Sequence, residues 1–421
     1  MTAPVLHPLV ARAFDSLERA GVHWCLLRDE AGLARLRGDV DLLVCPEDAT
    51  ATGYALARAG SAEVRAFGHG SHRFFAAYDE GEGSWLRLDV VTEVAFGPYQ
   101  SMLACGARVC LERADEGGGL RLLGPTDRFW ALLGHCLLDR GDVPVRHAGP
   151  LASLARAAAC EGPLARPLEE ALPPAWDLER VRASAAKGEW ASLLALAPEL
   201  GARWLRQRPG PAGKRLAAGV ALRALRPALT AVAGRGHLVA LLGPDGAGKS
   251  TLAASLREAW PLQDVRTVYL GLYQGGRRSN PGPIRLAARL AWLGRASLAI
   301  GWQRIRGRLV ICDRHTWDAL LPQAAPEGAL AWRRRQLLAR AAPRPAVAVL
   351  LDAPAELLAA RKPEHSVAEL EQQRGRYRGL LRQRPEIEVL DASLDEASVV
   401  RGVVALLWSH YSGQRRGGRR T

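Results

Sequence analysis

The sequence predicts an α/β protein with two folded parts: a C-terminal parallel sheet with helices on both faces, preceded by a small α/β domain and a helical connector. Three observations predict it. From His237 onward, short apolar runs alternate with helix-length stretches, which is the pattern of strands buried on both faces. Residues 125–205 instead carry Ala and Leu at helical spacing, with almost no strand-like run. A chain of 421 residues is also too long for one ordinary core.

Taken in order, residues 5–20 place Leu6, Leu9, Ala13, Leu17 and Ala20 near one helical face. Strand-like runs follow at Val22–Leu27, Val40–Val44 and Trp85–Val91, with a helical stretch at Glu47–Gly60 between the second and third. Helices are expected at Phe129–Leu138 and Leu151–Ala159, punctuated by Pro163, Pro167, Pro173 and Pro174. Gln207–Gly213 has the composition of a linker, and a further helix precedes the next strand. Strands are then expected at Leu238–Leu242, Val265–Leu270, Arg308–Cys312, Ala346–Leu351 and Glu388–Leu390, the first followed by a helix over Ser250–Ala259. The division is 1–120 for the small α/β domain, 121–206 for the helical appendage, 207–235 for linker and helix, and 236–411 for the parallel-sheet domain. The basic tail, 412–421, is expected to be disordered.

The net charge is +14, and the basicity is almost all arginine, lysine occurring only at Lys187, Lys214, Lys249 and Lys362. Such a bias reflects a GC-rich coding sequence as much as a basic surface, so nucleic-acid binding stays open without being the preferred class. The charge favours anionic substrates in either case. Cys25, Cys45, Cys105, Cys110, Cys136, Cys160 and Cys312 form no CxxC pair and read as reduced thiols. The N-terminus does not read as a signal peptide. The most apolar stretch, Ile284–Trp302, is interrupted by Arg285, Arg289 and Arg295. It reads as an amphipathic helix able to touch a membrane surface, not as a span. These features together predict a cytoplasmic protein with no integral membrane segment, and a homodimer is compatible with them.

Gly243-Pro-Asp-Gly-Ala-Gly-Lys-Ser250 is the full GxxxxGK[ST] pattern, set between an apolar strand and a helix. Backbone N–H groups of Gly243, Asp245, Gly246, Ala247 and Gly248 can curl around phosphates at the helix N-terminus, with Thr251 following. Lys249 supplies a point charge to the β- and γ-phosphate oxygens of ATP, and the Ser250 hydroxyl ligates Mg²⁺. Leu309-Val-Ile-Cys-Asp313 puts a carboxylate at the C-terminal edge of a parallel strand, where ligands bind in such sheets. Asp313 can hold Mg²⁺ or position a substrate, and Arg314 can contact an anionic group. Asp352 also ends a strand and is assigned a mainly structural role, with contact to the nucleotide site as the alternative. Arg361, Lys362, Arg374, Arg376 and Arg378 follow, Arg374 and Arg378 sharing a helix face. Such arginines either stabilise charge developing on a transferred phosphate or form a solvated helix with Glu369 and Glu371.

Together the Gly243–Thr251 loop, Asp313-Arg-His315, Leu351-Asp-Ala-Pro-Ala-Glu356 and the Arg361–Arg378 segment resemble thymidylate kinase and its relatives among the nucleotide and nucleoside kinases. The resemblance spans roughly residues 237–408. It implies the P-loop NTPase fold with a five-stranded parallel core, ATP-Mg²⁺ as donor, and transfer of the γ-phosphate to a small-molecule acceptor such as a nucleoside monophosphate. It further implies that Asp245 touches the acceptor, that Lys249, Asp313, Arg314, Arg361, Arg374 and Arg378 serve catalysis, and that Leu390–Ser393 lies near the adenine. The family's Arg-Glu-Pro signature after the second strand is replaced here by Val268-Tyr-Leu-Gly-Leu-Tyr-Gln-Gly-Gly-Arg-Arg278. The acceptor is therefore left open. Tyr269, Tyr273, Arg277 and Arg278 serve a different acceptor, or the two arginines are simply solvated.

In the N-terminal domain, Asp39 and Asp41 share a face of an extended segment, and Asp89 ends a later run. Three such carboxylates can hold Mg²⁺ for nucleotidyl transfer. Gly38-Asp-Val-Asp-Leu-Leu-Val44 resembles the nucleotidyltransferase superfamily, so the first domain is expected to be nucleotidyltransferase-like, either catalytic or a degenerate binding domain. That superfamily grips phosphates with a turn preceding this strand. This chain has Leu27-Arg28-Asp29-Glu30 there, where Arg28 can stand in for a lysine. The leading expectation is thus a kinase fused to a nucleotidyltransferase-like domain. A regulatory or nucleic-acid-linked P-loop ATPase, and a nucleotidyltransferase whose P-loop domain senses nucleotide, remain as alternatives.

Overall fold

The computed structural model describes residues 5–28, 33–36, 38–117, 120–233, 236–271, 283–323 and 328–417. The chain divides into two compact units, one running to Ala224 together with the residues from Arg415 onward, the other Leu225–Gln414.

The N-terminal unit opens with α1 (Pro8–Arg19). Pro8 sits in the first turn, where its missing N–H costs nothing, and the His7 ring caps the Leu9 N–H. α1 buries Leu9, Val10, Ala13, Phe14 and Leu17, close to the face its spacing predicts. β1 (Trp24–Leu26), β2 (Val40–Val44), α2 (Ala49–Arg58), β3 (Ala62–Val64), β4 (Arg73–Asp79) and β5 (Ser84–Val91) follow. β6 (Glu93–Phe96) and β7 (Met102–Gly106) form a separate hairpin. Then come α3 (Ala107–Leu111), β8 (Ala114–Gly117) and β9 (Leu120–Leu123). The main sheet has seven strands in the order β3-β4-β5-β2-β1-β9-β8. The three strand-like runs of the sequence are its central members. The strands the pattern did not reveal are mostly edge or hairpin strands, where polar residues such as Asp115 and Glu116 of β8 replace an apolar run.

Helices α4 (Pro125–Gly134), α5 (Val145–Ala157), α6 (Ala165–Ala171), α7 (Leu178–Lys187) and α8 (Trp190–Gln207) form the expected appendage. It shares a core with the sheet: Cys25, Leu43 and Val91 pack in one cluster with Phe129, Trp130, Leu151, Leu168 and Trp204. The expected linker is corrected. Gln207 ends α8, and Pro209 starts α9 (Pro209–Ala224), a helix within the N-terminal unit. Pro209 and Pro211 fall in the first turn, whose N–H groups have no intrahelical partner, so a linker-like composition is compatible with a helix start.

The C-terminal unit comprises α10 (Arg226–Ala233), β10 (Leu238–Leu242), α11 (Lys249–Ala259), β11 (Val265–Tyr269), α12 (Pro283–Ile305), β12 (Leu309–Asp313), α13 (Ala329–Ala339), β13 (Val347–Asp352), α14 (Ala355–Arg361), α15 (Val367–Gln383), β14 (Ile387–Asp391) and α16 (Glu396–Gly417). Its five strands are all parallel, in the order β11-β12-β10-β13-β14. β10 is buried along its whole length, as its uninterrupted apolar run predicts. The chain moves to one side of β10 for β11 and β12, then to the other for β13 and β14. This makes a topological switch point at the carboxyl end of β10. The tail is also corrected: α16 runs on to Gly417, held by buried Tyr411 and Ser412, and residues 418–421 lie outside the described ones.

Trp130 is fully buried where sheet and appendage meet, and its Nε1–H donates to the Ala159 carbonyl at 3.0 Å. Trp130→Ala is expected to destabilise the N-terminal unit by about 3–5 kcal/mol, read as a lower urea midpoint. A loss below about 1 kcal/mol would mean that the appendage does not share this core.

Candidate functional site

The loop from Gly243 to Gly248 joins β10 to α11 at the switch point. Its shape requires glycine. Gly243 has φ +142°, and a Cβ there would lie 2.5 Å from the Leu351 carbonyl oxygen of β13. Gly246 has φ +83°, with a Cβ 2.6 Å from the Leu358 carbonyl oxygen of α14. The tight turn aims the first N–H groups of α11 out of the sheet edge, where the helix dipole favours an anion. Ala247 is buried beneath the loop, whereas Gly248, Ser250 and Thr251 are exposed at its rim.

Lys249 is buried, and its ammonium donates to the carbonyls of Gly243 at 2.9 Å and Pro244 at 2.7 Å. Burial, with Arg314 nearby, pushes its pKa down to about 8. Ser250 Oγ donates to Asp313 Oδ2 at 2.6 Å. The two meet because β10 and β12 pair in parallel with Leu241 opposite Asp313, so both chains leave the sheet at the same level. A hydroxyl and a carboxylate side by side at the mouth of the glycine turn form a hard-oxygen pair of the kind that suits Mg²⁺. The glycine loop and the strand-end carboxylate, separate patterns in the sequence, thus lie side by side.

Arg314 follows at φ +69°, in a left-handed conformation that non-glycine residues avoid. Its N–H donates to the Leu241 carbonyl at 3.1 Å, which ties the strained residue to β10. Its guanidinium pairs with Asp245 in the loop and lies 3.9 Å from Asp318. Asp245 is further approached by His365 at 3.4 Å. Burial works to raise the Asp245 pKa, but Arg314 and Lys249 outweigh it and hold the carboxyl below its usual range.

Asp318, Tyr377 and His365 are residues that the sequence pattern did not single out. Asp318 is fully buried in the short turn Thr316–Leu320, and Tyr377 Oη on α15 donates to it at 3.1 Å. Burial pushes Asp318 up to about 6. The one available signal is a lone carboxylate inside the apolar run Trp317-Asp-Ala-Leu-Leu321. His315, also fully buried, accepts from the Trp317 N–H at 3.3 Å, and burial pushes it down to about 4.

The arginine-rich helix is organised differently from a row of free cations. Arg374 makes a two-point contact with Asp352, at 2.7 and 3.0 Å, and a further bond to Glu371 at 2.6 Å. It therefore anchors α15 to the end of β13, which gives Asp352 the structural role expected of it. Arg378 is half exposed and 3.3 Å from Glu371. Arg361 donates to the Ala392 carbonyl at 2.7 Å, in the segment expected near the adenine. Tyr269 ends β11 opposite Asp313 and is exposed, while Tyr273, Arg277 and Arg278 lie outside the described residues.

In the N-terminal unit, β2 and β5 pair in parallel with Asp41 opposite Asp89, so these two carboxylates do stand side by side. Each of the three has its own basic partner, however, a guanidinium for Asp39 and Asp41 and an imidazole for Asp89. Arg28 lies 3.1 Å from Asp41, His72 is 2.8 Å from Asp89, and Arg87 is 2.9 Å from Asp39. Burial raises Asp41, with Arg28 opposing and Asp89 adding to the rise. Burial works against a charged His72, but Asp89 outweighs it and the imidazole pKa is raised. Among the described residues, no group of three or more His, Cys, Asp and Glu is arranged to hold a metal ion. Arg28, expected as a phosphate grip, is engaged by Asp41, and Asp29 and Glu30 lie outside the described residues.

Two buried groups in the segment after β12 titrate in opposite senses. His315 binds its proton more weakly folded than unfolded, so stability is lost as pH falls from about 6.5 toward 4. Asp318 binds its proton more tightly folded, so stability is gained as pH falls from about 6 toward 4. Asp318→Asn should make the urea midpoint fall more steeply on acidification across that window, and His315→Gln less steeply. Parallel midpoint–pH curves for all three proteins would contradict this assignment of the two groups.

No protein-family model matches the chain, and no curated protein matches it either. Among solved structures, a thymidylate kinase from Candida albicans is similar at 16% identity with a TM-score of 0.32. The match covers 42% of this chain and 94% of that one. A likeness of this size does not establish a family. The sheet order and the loop geometry of this unit stand on their own.

Proposed function

We propose that the C-terminal unit is an ATP-Mg²⁺-dependent phosphotransferase acting on a small-molecule acceptor. The observation that carries the reading is the Ser250–Asp313 contact of 2.6 Å at the mouth of the glycine loop, beside buried Lys249. In this reading the loop from Gly243 to Thr251 binds the phosphates of ATP, and Lys249 holds the β- and γ-phosphate oxygens. Ser250 and Asp313 hold Mg²⁺, which when bound neutralises phosphate charge. Arg314 and Asp245 face the acceptor side. Arg314 keeps one orientation because its backbone is tied to Leu241 and its guanidinium to Asp245. Arg374 anchors α15, which carries the more exposed Arg378 as the arginine able to meet a developing charge. Arg361 supports the Leu390–Ser393 segment through Ala392.

For the N-terminal unit, the arginine beside each of Asp39 and Asp41 and the imidazole beside Asp89 favour a binding fold over a metal-dependent transferase. Asp41→Asn is therefore expected to leave phosphotransfer unchanged. A loss of turnover in that variant comparable to the loss in Lys249→Ala would reverse the assignment.

The principal test is turnover of γ-labelled ATP by the full chain with a panel of nucleosides and nucleoside monophosphates. Lys249→Ala and Asp313→Asn should each lower γ-phosphate release or transfer by about 10²-fold or more. Turnover that is independent of Lys249 would overturn the proposal. Transfer that needs no added acceptor, with water taking the phosphate, would favour an ATPase.

A further inference from the structure

Helix α12 plays no part in the proposed chemistry, yet it is the least ordinary surface of its unit. One face is buried, with Leu293 and Ile300 packed into the core in one cluster with Val310 and Cys312 of β12. The opposite face is exposed and almost wholly apolar. Trp292 is 44% exposed, Leu298 77% and Trp302 57%. At 100° per residue, Ala287, Ala291, Gly294, Leu298 and Trp302 share one stripe, and Trp292 closes an arc of about 160°. Arg295 is the only charged side chain within that arc.

The charge around this face has one sign. From Val265 to Cys312 the sequence has no aspartate or glutamate, and among the described residues the exposed arginines of α12 and the turn after it are Arg295, inside the arc, and Arg306 at its C-terminal end. Arg289 and Arg304 project toward the buried side, Arg304 donating to the Gly236 carbonyl at 3.0 Å, and Arg308 pairs with Asp264 at 3.5 Å. The next helix repeats the composition. α13 packs Leu338 and Ala339 into the same core cluster, exposes Leu330, Trp332 and Leu337, and has no acidic residue.

An exposed apolar stripe needs an occupant. A second copy of the chain docked by the same face fits poorly, because it would set Arg295 against Arg295, and neither α12 nor α13 carries a carboxylate to pair it. Exposed tryptophan and leucine on a helix whose charges are all cationic is the pattern of a helix lying in the plane of a membrane interface. Among the described residues no helix is long and apolar enough to cross a membrane, so such contact would be peripheral.

We propose that α12 docks this protein on an anionic lipid surface, its exposed Trp292, Leu298 and Trp302 entering the interface and Arg295 and Arg306 meeting the phosphate headgroups. The proposal goes beyond the phosphotransferase reading and does not depend on it.

Flotation of the full chain with vesicles tests it. Binding is expected to vesicles of phosphatidylcholine with about 30% phosphatidylglycerol, to be far weaker on phosphatidylcholine alone, and to fall with added salt. The Trp292→Ser, Leu298→Ser, Trp302→Ser triple variant should lose about tenfold or more of that binding while keeping its circular dichroism and its urea midpoint. Arg295→Glu, a single surface change, should weaken binding in the same direction. Equal binding to both vesicle types, or full binding by the triple variant, would overturn the proposal. So would a dimer that the triple variant converts to monomer, or binding of an oligonucleotide that the triple variant abolishes in place of vesicle binding.

Discussion

The contact between the Ser250 hydroxyl and the Asp313 carboxylate depends on a register, and most of the candidate site depends on that contact. β10 and β12 run parallel with Leu241 opposite Asp313, so the turn into α11 and the turn after β12 leave the sheet together. A shift of one residue along either strand would turn Asp313 to the other face of the sheet and separate the two oxygens. The same pairing carries the Arg314 N–H to the Leu241 carbonyl and so holds Arg314 in its left-handed conformation. The glycine loop is fixed independently from the other side of β10, where Gly243 lies against Leu351 of β13 and leaves no room for a side chain.

Around that edge, charge is balanced in a small volume. Lys249, Arg314, Asp245 and Asp318 lie close enough to shift one another, and burial acts on all of them. Carbonyls of the loop hold Lys249, Asp245 holds Arg314, and Tyr377 donates to Asp318. The last of these bonds ties α15 to the turn after β12, and the Arg374–Asp352 pair ties the same helix to the end of β13. α15 is therefore pinned at two points on the sheet edge from which the loop emerges. Its arginines divide accordingly into an anchor, Arg374, and a more exposed Arg378.

How much of this was legible follows from the range of the signals. Gly243–Ser250 and Asp313 are local patterns set by strand ends, and a parallel sheet was readable from apolar runs such as Leu238–Leu242. Asp318 and Tyr377 are 59 positions apart, and no periodicity links them; only the packing of α15 does. The partners of the N-terminal carboxylates have the same character. Arg28, His72 and Arg87 come from three separate places in the sequence, so Asp39, Asp41 and Asp89 read as an acidic group until their neighbours are known. Composition misled at Gln207–Gly213, where prolines that suggest a linker sit in the first turn of α9. It misled again at Ser412–Gly417, where a polar stretch continues a helix held by Tyr411.

The central claim is that one nucleotide-Mg²⁺ site lies at the carboxyl end of β10. Calorimetric titration of the full chain with a non-hydrolysable ATP analogue, with and without Mg²⁺, tests it most directly. One site per chain is expected, tightened by Mg²⁺, with that tightening lost in Ser250→Ala and binding itself lost in Lys249→Ala. Nucleotide binding of undiminished affinity in Lys249→Ala, or a Mg²⁺ effect that survives loss of both Ser250 and Asp313 side-chain oxygens, would contradict it.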